Sequence, residues 1–271
     1  MFHPNEVSLT MKISQLITTR QWFETYVDGF ADEAGKLPSL MRVKKEHSLR
    51  VETNVATIAR SLHWDDSRIR LADAAGLLHD VGRFRQFRDY GTYSDGDSID
   101  HGDTGADTLE DVFPWGDVDA PVRGIIVDAV RHHNKKHLPP GIDSGSLPYA
   151  RIVRDGDKLD VYQLVQGYVR DGRIRDLLPR VQPDGPLSPA LCDEVRENGA
   201  ASYASVRSLV DFLLVQMTWA LDLNFSPSFD ILRERGYIEW IEARMPRDDE
   251  TKTLLRDLRE RIHHHRESLP E

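Results

Sequence analysis

The chain has 271 residues, a length that allows one large domain or two small ones. Hydrophobic residues make up 39% of the sequence and charged residues 30%, which excludes a wholly disordered chain and fits a globular protein. The formal net charge of -10 repels polyanions, so we expect no sequence-independent binding to nucleic-acid polymers. A small anionic ligand would instead need a locally positive site.

The cellular location is predicted from what the sequence lacks. There is no run of about 18 apolar residues, so no membrane-spanning helix and no membrane partner are expected. The first ten residues, MFHPNEVSLT, lack the basic stretch and apolar run of a secretion signal, and the single cysteine, Cys192, cannot form an internal disulfide. A cytoplasmic protein is therefore predicted.

Apolar residues recur at spacings of three and four, and alternating patterns are scarce, which predicts an all-α protein. A first apolar stripe covers residues 40–62 and includes His47, which is therefore expected to point inward, whereas Lys44 falls on the polar face. The next helix is expected from an N-cap at Asp66 or Ser67 to about His79.

Residues 83–103 are rich in Gly, Asp and Ser, which predicts a loop that carries His101 just ahead of a short helix over residues 104–113. Pro121 suits the first turn of a further helix, which is expected to end at the His132-His133 pair.

A helix is then expected over residues 147–169, with Asp157 on its inward face. After residue 170 a surface excursion rich in Pro and Gly is expected, followed by a long buried helix over residues 189–223. A turn at Ser226-Pro227 and two amphipathic segments ending near Glu267 complete the prediction.

The predicted organisation is an N-terminal helical extension (residues 1–39), a core (40–170) and C-terminal helices (171–271). The C-terminal helices would expose a large apolar patch if they stood alone, so we expect them to pack on the core in one composite domain.

Polar residues on the inward faces or at the ends of these helices are the candidate functional residues. A buried imidazole or carboxylate is costly without a partner, and each residue alone has an ordinary explanation, such as a hydrogen-bonded core histidine or a surface carboxylate. Several such groups in one core indicate a shared cation, for which a metal ion is the simplest candidate. The candidate ligands are His47, His79, Asp80, His101, His132, His133 and Asp157.

The order and wording of these residues resemble the HD-domain superfamily of metal-dependent phosphohydrolases. The pattern H…HD…H…HH…D is met in order, and the phrases AGLLHDVGRF, DHGDTGADTL, AVRHHN and VRDGDKLD are similar to those of the family. The resemblance covers about residues 40–165. It implies an all-helical bundle with a metal site among its central helices.

Seven ligands suit two divalent ions and leave positions for water and substrate. Asp80 is suited to bridge the two ions, with His47, His79 and Asp157 on one and His101 with the histidine pair on the other. The resemblance favours His132 over His133 as the ligand of that pair. Imidazole-rich ligation favours Fe, Mn, Co, Ni or Zn.

The expected reaction is hydrolysis of a phosphomonoester or phosphodiester of a nucleotide or other small metabolite by a hydroxide held between the ions. Catalytic roles are expected for Asp80 and Arg83. The position of Arg83 resembles that of a phosphate-binding Lys or Arg in related proteins, and its guanidinium suits phosphate. Lys158 is a second candidate for substrate binding, unless it neutralises Asp160.

Two alternatives stay open at this point. One is a di-iron oxygenase resembling myo-inositol oxygenase, which has a similar ligand pattern; the other is a non-catalytic, nucleotide-sensing HD module. The segment NKKHLPPG after the histidine pair lacks the Gly-Tyr-Pro signature of the subfamily that opens cyclic di-GMP, so that substrate is disfavoured. Residues 263–265, three consecutive histidines, are expected to be a solvated helix face. The sequence leaves the oligomeric state open.

Overall fold

The structure is a computed structural model, and it describes residues 10–269. The first nine residues of the predicted N-terminal extension lie outside the described residues. Within the described range the chain is helical, with one isolated bridge between Gln182 and Ser208 and no strand, which confirms the all-α prediction. None of the described helices is both long enough and apolar enough to cross a membrane.

The α-helices are α1 (Ile13–Asp28), α2 (Ser39–Ser61), α3 (Asp66–Leu78), α4 (Val81–Tyr90), α5 (His101–Val112), α6 (Ala120–His132), α7 (Leu147–Arg170), α8 (Ile174–Leu177), α9 (Pro189–Asn198), α10 (Leu209–Thr218), α11 (Ser226–Glu234), α12 (Tyr237–Glu242) and α13 (Asp249–Ser268). The chain divides into two compact units, and the division falls inside α7, between Asp157 and Lys158. The expected packing of residues 171–271 on the core stays a prediction.

In the first unit, α2 and α3 pack side by side, and α3 also contacts α1 and α6. The helix α3 begins one residue earlier than predicted, because the Asp65 side chain is the N-cap and accepts a hydrogen bond from the Arg68 backbone N–H. The helix α6 begins with proline in its first turn, as predicted. These helices place the ends of α3 and α6 in the same core.

The segment predicted as a loop over residues 83–103 is wrong in its first half, which is the helix α4. Phe84 is fully buried and contacts the rings of Phe23, Tyr26 and Phe30, so packing stabilises a segment whose surface is otherwise strongly polar. The helix ends at Gly91, which adopts the left-handed conformation that glycine tolerates best.

The helix α5 begins at His101, three residues earlier than predicted. Asp100 is its N-cap, and the side chain accepts hydrogen bonds from the backbone N–H groups of Gly102 and Asp103. Gly82, in α4, lies so close to α5 that a Cβ atom there would overlap the backbone oxygen of His101. Glycine therefore permits the close approach of these two helices.

In the second unit, the long helix predicted over residues 189–223 is wrong. The helix α9 ends at Gly199, which has a positive φ of 66°, and α10 begins after Ser208, whose side chain forms a capping box with Asp211. The predicted turn at Ser226-Pro227 is instead the first turn of α11, because proline fits the first helical positions. The two segments predicted after it are three helices, α11 to α13.

Candidate metal centre

Five helices contribute to a buried cluster of histidine and aspartate side chains, one of them being α6, which His133 follows directly. His47 lies in the middle of α2, and Asp157 lies on α7. His79 and Asp80 follow the last residue of α3, and His101 is the first residue of α5. His47 and His79 are completely buried, so the cluster lies within the core rather than at the surface.

One half of the cluster is formed by His47, His79 and Asp157. The Nε2 atom of His47 lies 3.1 Å from Nε2 of His79 and 3.1 Å from Oδ1 of Asp157. Oδ2 of Asp80 lies 3.4 Å from Nε2 of His47 and 3.6 Å from Nε2 of His79. These four side chains therefore present their ligand atoms to one small volume.

The other half is formed by His101 and His133, whose Nε2 atoms lie 3.0 Å apart. Both atoms face the second oxygen of Asp80: Oδ1 lies 3.5 Å from Nε2 of His101 and 3.6 Å from Nε2 of His133. The Asp80 carboxylate thus has one oxygen toward each half of the cluster. This placement suits the bridging role that the sequence suggested for Asp80.

His79 and His133 are held by the same local device. Each is the C-cap of its helix, and each donates from Nδ1 to the backbone carbonyl three residues earlier, Gly76 for His79 and Val130 for His133, at 2.7 Å in both cases. The last carbonyls of a helix lack an intrahelical partner, so they are free to accept this bond. The negative ends of two helix dipoles also point to the cluster, which favours a cation there.

The ring of His101 is held by a carboxylate instead. Its Nδ1 atom lies 2.6 Å from Oδ2 of Asp95, in the loop that connects α4 to α5. Because a carbonyl or a carboxylate only accepts, the proton of each neutral ring must be on Nδ1. In the neutral form of each ring, the Nε2 atom of His79, His101 or His133 is therefore the one without a proton.

The position of the proton on each ring determines whether the residues fit metal ions. Lone pairs of imidazole nitrogens and carboxylate oxygens face each other at 3.0–3.6 Å with no proton between them, an arrangement that a bound cation would stabilise. Within the described residues, two groups have ligand atoms within 4.8 Å of one another: His47, His79 and Asp157, and His79, Asp80 and His133. The residues therefore fit divalent metal ions.

The electrostatics keep the cluster ready to bind. Burial lowers the pKa of His79 to about 3 and that of His101 to about 4, so both rings are neutral at physiological pH. Burial alone would raise the pKa of Asp80, but the Lys44 ammonium and the other positive groups around it hold that pKa well below its usual range. Partial burial would raise the pKa of Asp157, but its hydrogen bond to His47 and the charges around it hold that pKa below its usual range. Both carboxylates are ionised.

The structure corrects the preference for His132 over His133. The Nε2 atom of His133 faces Asp80 and His101, whereas the ring of His132 belongs to neither group of converging ligand atoms among the described residues. Successive helical residues project about 100° apart, so only one of the two adjacent rings can face the cluster.

The structure also gives Lys158 a different partner from the one expected. Its ammonium lies 2.8 Å from Oδ2 of Asp222, with which it forms an ion pair. Substrate binding by Lys158 stays a prediction.

Two cations flank Asp80. Nε of Arg83 lies 3.5 Å from Oδ1 of Asp80, while Nη1 of the same guanidinium donates to Oδ1 of Asp95 and to two other oxygens. Nζ of Lys44 lies 2.7 Å from Oδ2 of Asp80. Lys44 was not among the predicted site residues, because its position in the sequence placed it on the polar face of α2. Its spacing of three residues from His47, which brings both side chains to one side of the helix, is the signal that was available.

Comparison with known proteins agrees with this geometry. Residues 45–162 match the family model of the HD domain. Neither the curated proteins nor the solved structures include a significant match to the chain. The matched segment contains all of the ligands that converge on Asp80.

Proposed function

We propose that the protein is a metal-dependent phosphohydrolase that cleaves a phosphomonoester or phosphodiester of a nucleotide or another small metabolite. The match of residues 45–162 to the family model of the HD domain supports this proposal. The observation that carries the proposal is the position of Asp80, with one oxygen toward each group of imidazoles and a cation beside each oxygen. This arrangement combines two candidate metal positions with groups that bind phosphate.

The residues that would hold two divalent ions fall into two sets bridged by Asp80. His47, His79 and Asp157 would hold one ion, and His101 and His133 the other. Such ions, when bound, act as Lewis acids toward a phosphoryl oxygen and lower the pKa of water to the neutral range. The ring nitrogens and backbone carbonyls prepare these positions by fixing the orientation of each imidazole before any ion binds.

The substrate would be bound by the chain's own cations. Lys44 and Arg83 stand beside the bridging carboxylate, and both side chains are largely buried, with 18% and 15% of their surfaces exposed. A charge-assisted hydrogen bond is stronger in such a place than at the surface. These two groups would orient the phosphoryl group and stabilise the negative charge that develops on it.

The most exposed ligand side chain of the cluster, Asp157, marks the side from which a substrate would enter. Its side chain is 27% exposed, in contrast to Asp80, which is 2% exposed. A small substrate would therefore approach along the face that carries Asp157 and would leave Asp80 at the back of the site.

The test is metal analysis of the purified protein followed by assays of phosphatase and phosphodiesterase activity. The assays would use Mn, Fe, Co, Ni and Zn in turn, with Asp80→Asn as the inactive control. We expect close to two ions per chain and release of phosphate, or cleavage of a diester, with at least one metal. Inactivity of the metal-loaded protein in every combination would overturn the proposal, and oxygen uptake with bound iron would replace it by an oxygenase.

A further inference from the structure

The loop between α4 and α5 carries one side chain that contacts both the metal cluster and a phosphate-binding cation. Asp95 begins a short 3-10 turn, Asp95–Asp97, and 32% of its side-chain surface is exposed. Its carboxylate accepts hydrogen bonds from two opposite sides. Oδ2 lies 2.6 Å from Nδ1 of His101, and Oδ1 accepts a hydrogen bond of 2.8 Å from Nη1 of Arg83.

Two amides complete the surroundings of this carboxylate. Nε2 of Gln86 donates to Oδ1 at 2.9 Å, and Nδ2 of Asn134 donates to Oδ2 at 3.1 Å. Gln86 is fully buried, and its Nε2 also lies 3.0 Å from the backbone oxygen of Ile99, which fixes the orientation of the amide. The four side chains that contact this carboxylate all donate to it, so a side chain at this position must accept on both oxygens to keep these contacts.

We propose that Asp95 is a positioning residue that holds the proton of His101 on Nδ1, so that Nε2 stays available for the second metal ion, and that it orients Arg83 through its other oxygen. The inference rests on the proposed two-metal function. It adds a coupling between the second metal position and the phosphate-binding cation, because one carboxylate holds both groups.

The replacement of Asp95 by asparagine tests this role sharply, because asparagine keeps the shape but has only one accepting oxygen. Arg83 has no lone pair and cannot accept, so the amide oxygen must remain toward Arg83. The amide N–H₂ then faces His101 and Asn134, and the Asn134 side chain must turn its own N–H₂ away. The ring then accepts at Nδ1, and its proton moves to Nε2. Asp95→Asn is therefore expected to place a proton on the atom that should bind the metal.

Alanine has a different effect. In Asp95→Ala the Nδ1–H of His101 donates to water, so the ring keeps the tautomer that binds metal and loses only its fixed orientation. We therefore expect the affinity for the second ion to fall in the order wild type, Asp95→Ala, Asp95→Asn. If Asp95 only stabilised the fold or neutralised a charge, asparagine should reduce the affinity for the second ion no more than alanine does.

The experiment combines two measurements on the full chain. The first is ¹⁵N NMR of histidine-labelled, metal-free protein at pH 8, with His101→Gln used to assign the His101 signals. The second is the affinity for Zn²⁺, measured by competition with a chelator. Asp97→Asn, which removes a carboxylate from an exposed side chain of the same turn, is the matched control.

For the wild type we expect an unprotonated Nε2 on His101 and two bound Zn²⁺ ions. In Asp95→Asn we expect a protonated Nε2 and an affinity for the second ion that is about 10- to 100-fold lower, with the first ion retained as evidence of correct folding. The control should match the wild type in both measurements.

The inference is overturned if Asp95→Asn keeps the Nδ1–H tautomer, or if alanine weakens the second ion as much as asparagine does. Failure of the proposed function has a different signature, because a wild-type protein that binds no second ion would refute the two-metal centre while the NMR measurement still reported the tautomer of His101.

Discussion

Asp73, in α3, is a buried carboxylate without adequate compensation, and its removal should stabilise the protein. The residue is 5% exposed, and its Oδ1 atom makes no hydrogen bond within the described residues. Oδ2 lies 4.0 Å from Nη2 of Arg20, whose Nε atom is bonded at 2.7 Å to Glu52. One guanidinium therefore serves two buried carboxylates, and Asp73 has the weaker contact.

The free-energy cost of burying the Asp73 charge follows from the pKa of this group. Burial, and then the neighbouring charge of Glu52, raise this pKa from 3.8 to about 6, while Arg60, Arg20 and Arg70 act in the opposite direction. A raised pKa means that the folded state binds the proton more tightly than the unfolded state does. The penalty is absent well below pH 3.8, where both states are protonated, and grows to its full size above about pH 6. Its upper limit is about 3 kcal/mol.

Asp73→Asn removes the charge and keeps the shape. At pH 7.5 we expect the free energy of unfolding to rise by about 1–3 kcal/mol, since asparagine still buries a polar group that lacks a full set of partners. At pH 4, where the unfolded carboxyl is only partly ionised, the gain from removing the charge should fall to about 0.5 kcal/mol. Urea denaturation at both pH values, followed by circular dichroism and tryptophan fluorescence, measures this difference.

The control is Asp111→Asn, which neutralises an exposed carboxylate at the end of α5 and should change the stability by less than about 0.5 kcal/mol at either pH. A gain of equal size at both pH values, or a loss of stability at pH 7.5, would refute the electrostatic explanation for Asp73.

Three further predictions concern the metal centre. His133→Gln should reduce the metal content toward one ion per chain in elemental analysis, whereas His132→Gln should leave it unchanged; equal losses would contradict the position of His133. Gly82→Ala should force α4 and α5 apart, lower the stability by about 1–3 kcal/mol and weaken the second ion, while Gly124→Ala, where a Cβ meets no atom within 4 Å, should have neither effect in denaturation and metal-binding assays. Lys44→Gln should weaken binding of inorganic phosphate to the metal-loaded protein at least about tenfold in calorimetry, with metal content preserved; undiminished phosphate binding would remove Lys44 from the substrate site.

The sequence was sufficient for helices whose apolar period is regular, such as α2, α3, α6 and α7. It was insufficient for α4, because Phe84 supplies much of its buried surface and the packing of that ring on α1 is a tertiary effect. The helix predicted over residues 189–223 was too long because Gly199 and the Ser208 cap interrupt a continuous apolar pattern. In this segment, local signals that end and begin helices outweigh the hydrophobic periodicity.

In the candidate site, too, some features are indicated by the sequence pattern, whereas others depend on the three-dimensional arrangement. The order of histidines and aspartates indicated the metal cluster, and the HD-domain match over residues 45–162 agrees with it. The choice between His132 and His133 depends on where α6 ends, and a shift of one residue reverses it. Asp95 was missed because its role arises from contacts with His101 and Arg83, which are 6 and 12 residues away and come together only through the fold of the loop.

The charge of the centre is set independently of the net charge of the chain. Three carboxylates, Asp80, Asp95 and Asp157, lie among two permanent cations, Lys44 and Arg83, so the centre has a formal charge of -1 before any ion binds. A pair of bound divalent ions would reverse that sign. Because exposed charges are screened over about 8 Å at physiological salt, the acidic surface does not cancel this local field, and a protein of net charge -10 can bind a phosphate at this position. The same reasoning requires phosphate binding to depend on bound metal, so a metal-free protein that bound phosphate equally well would place the anion site elsewhere.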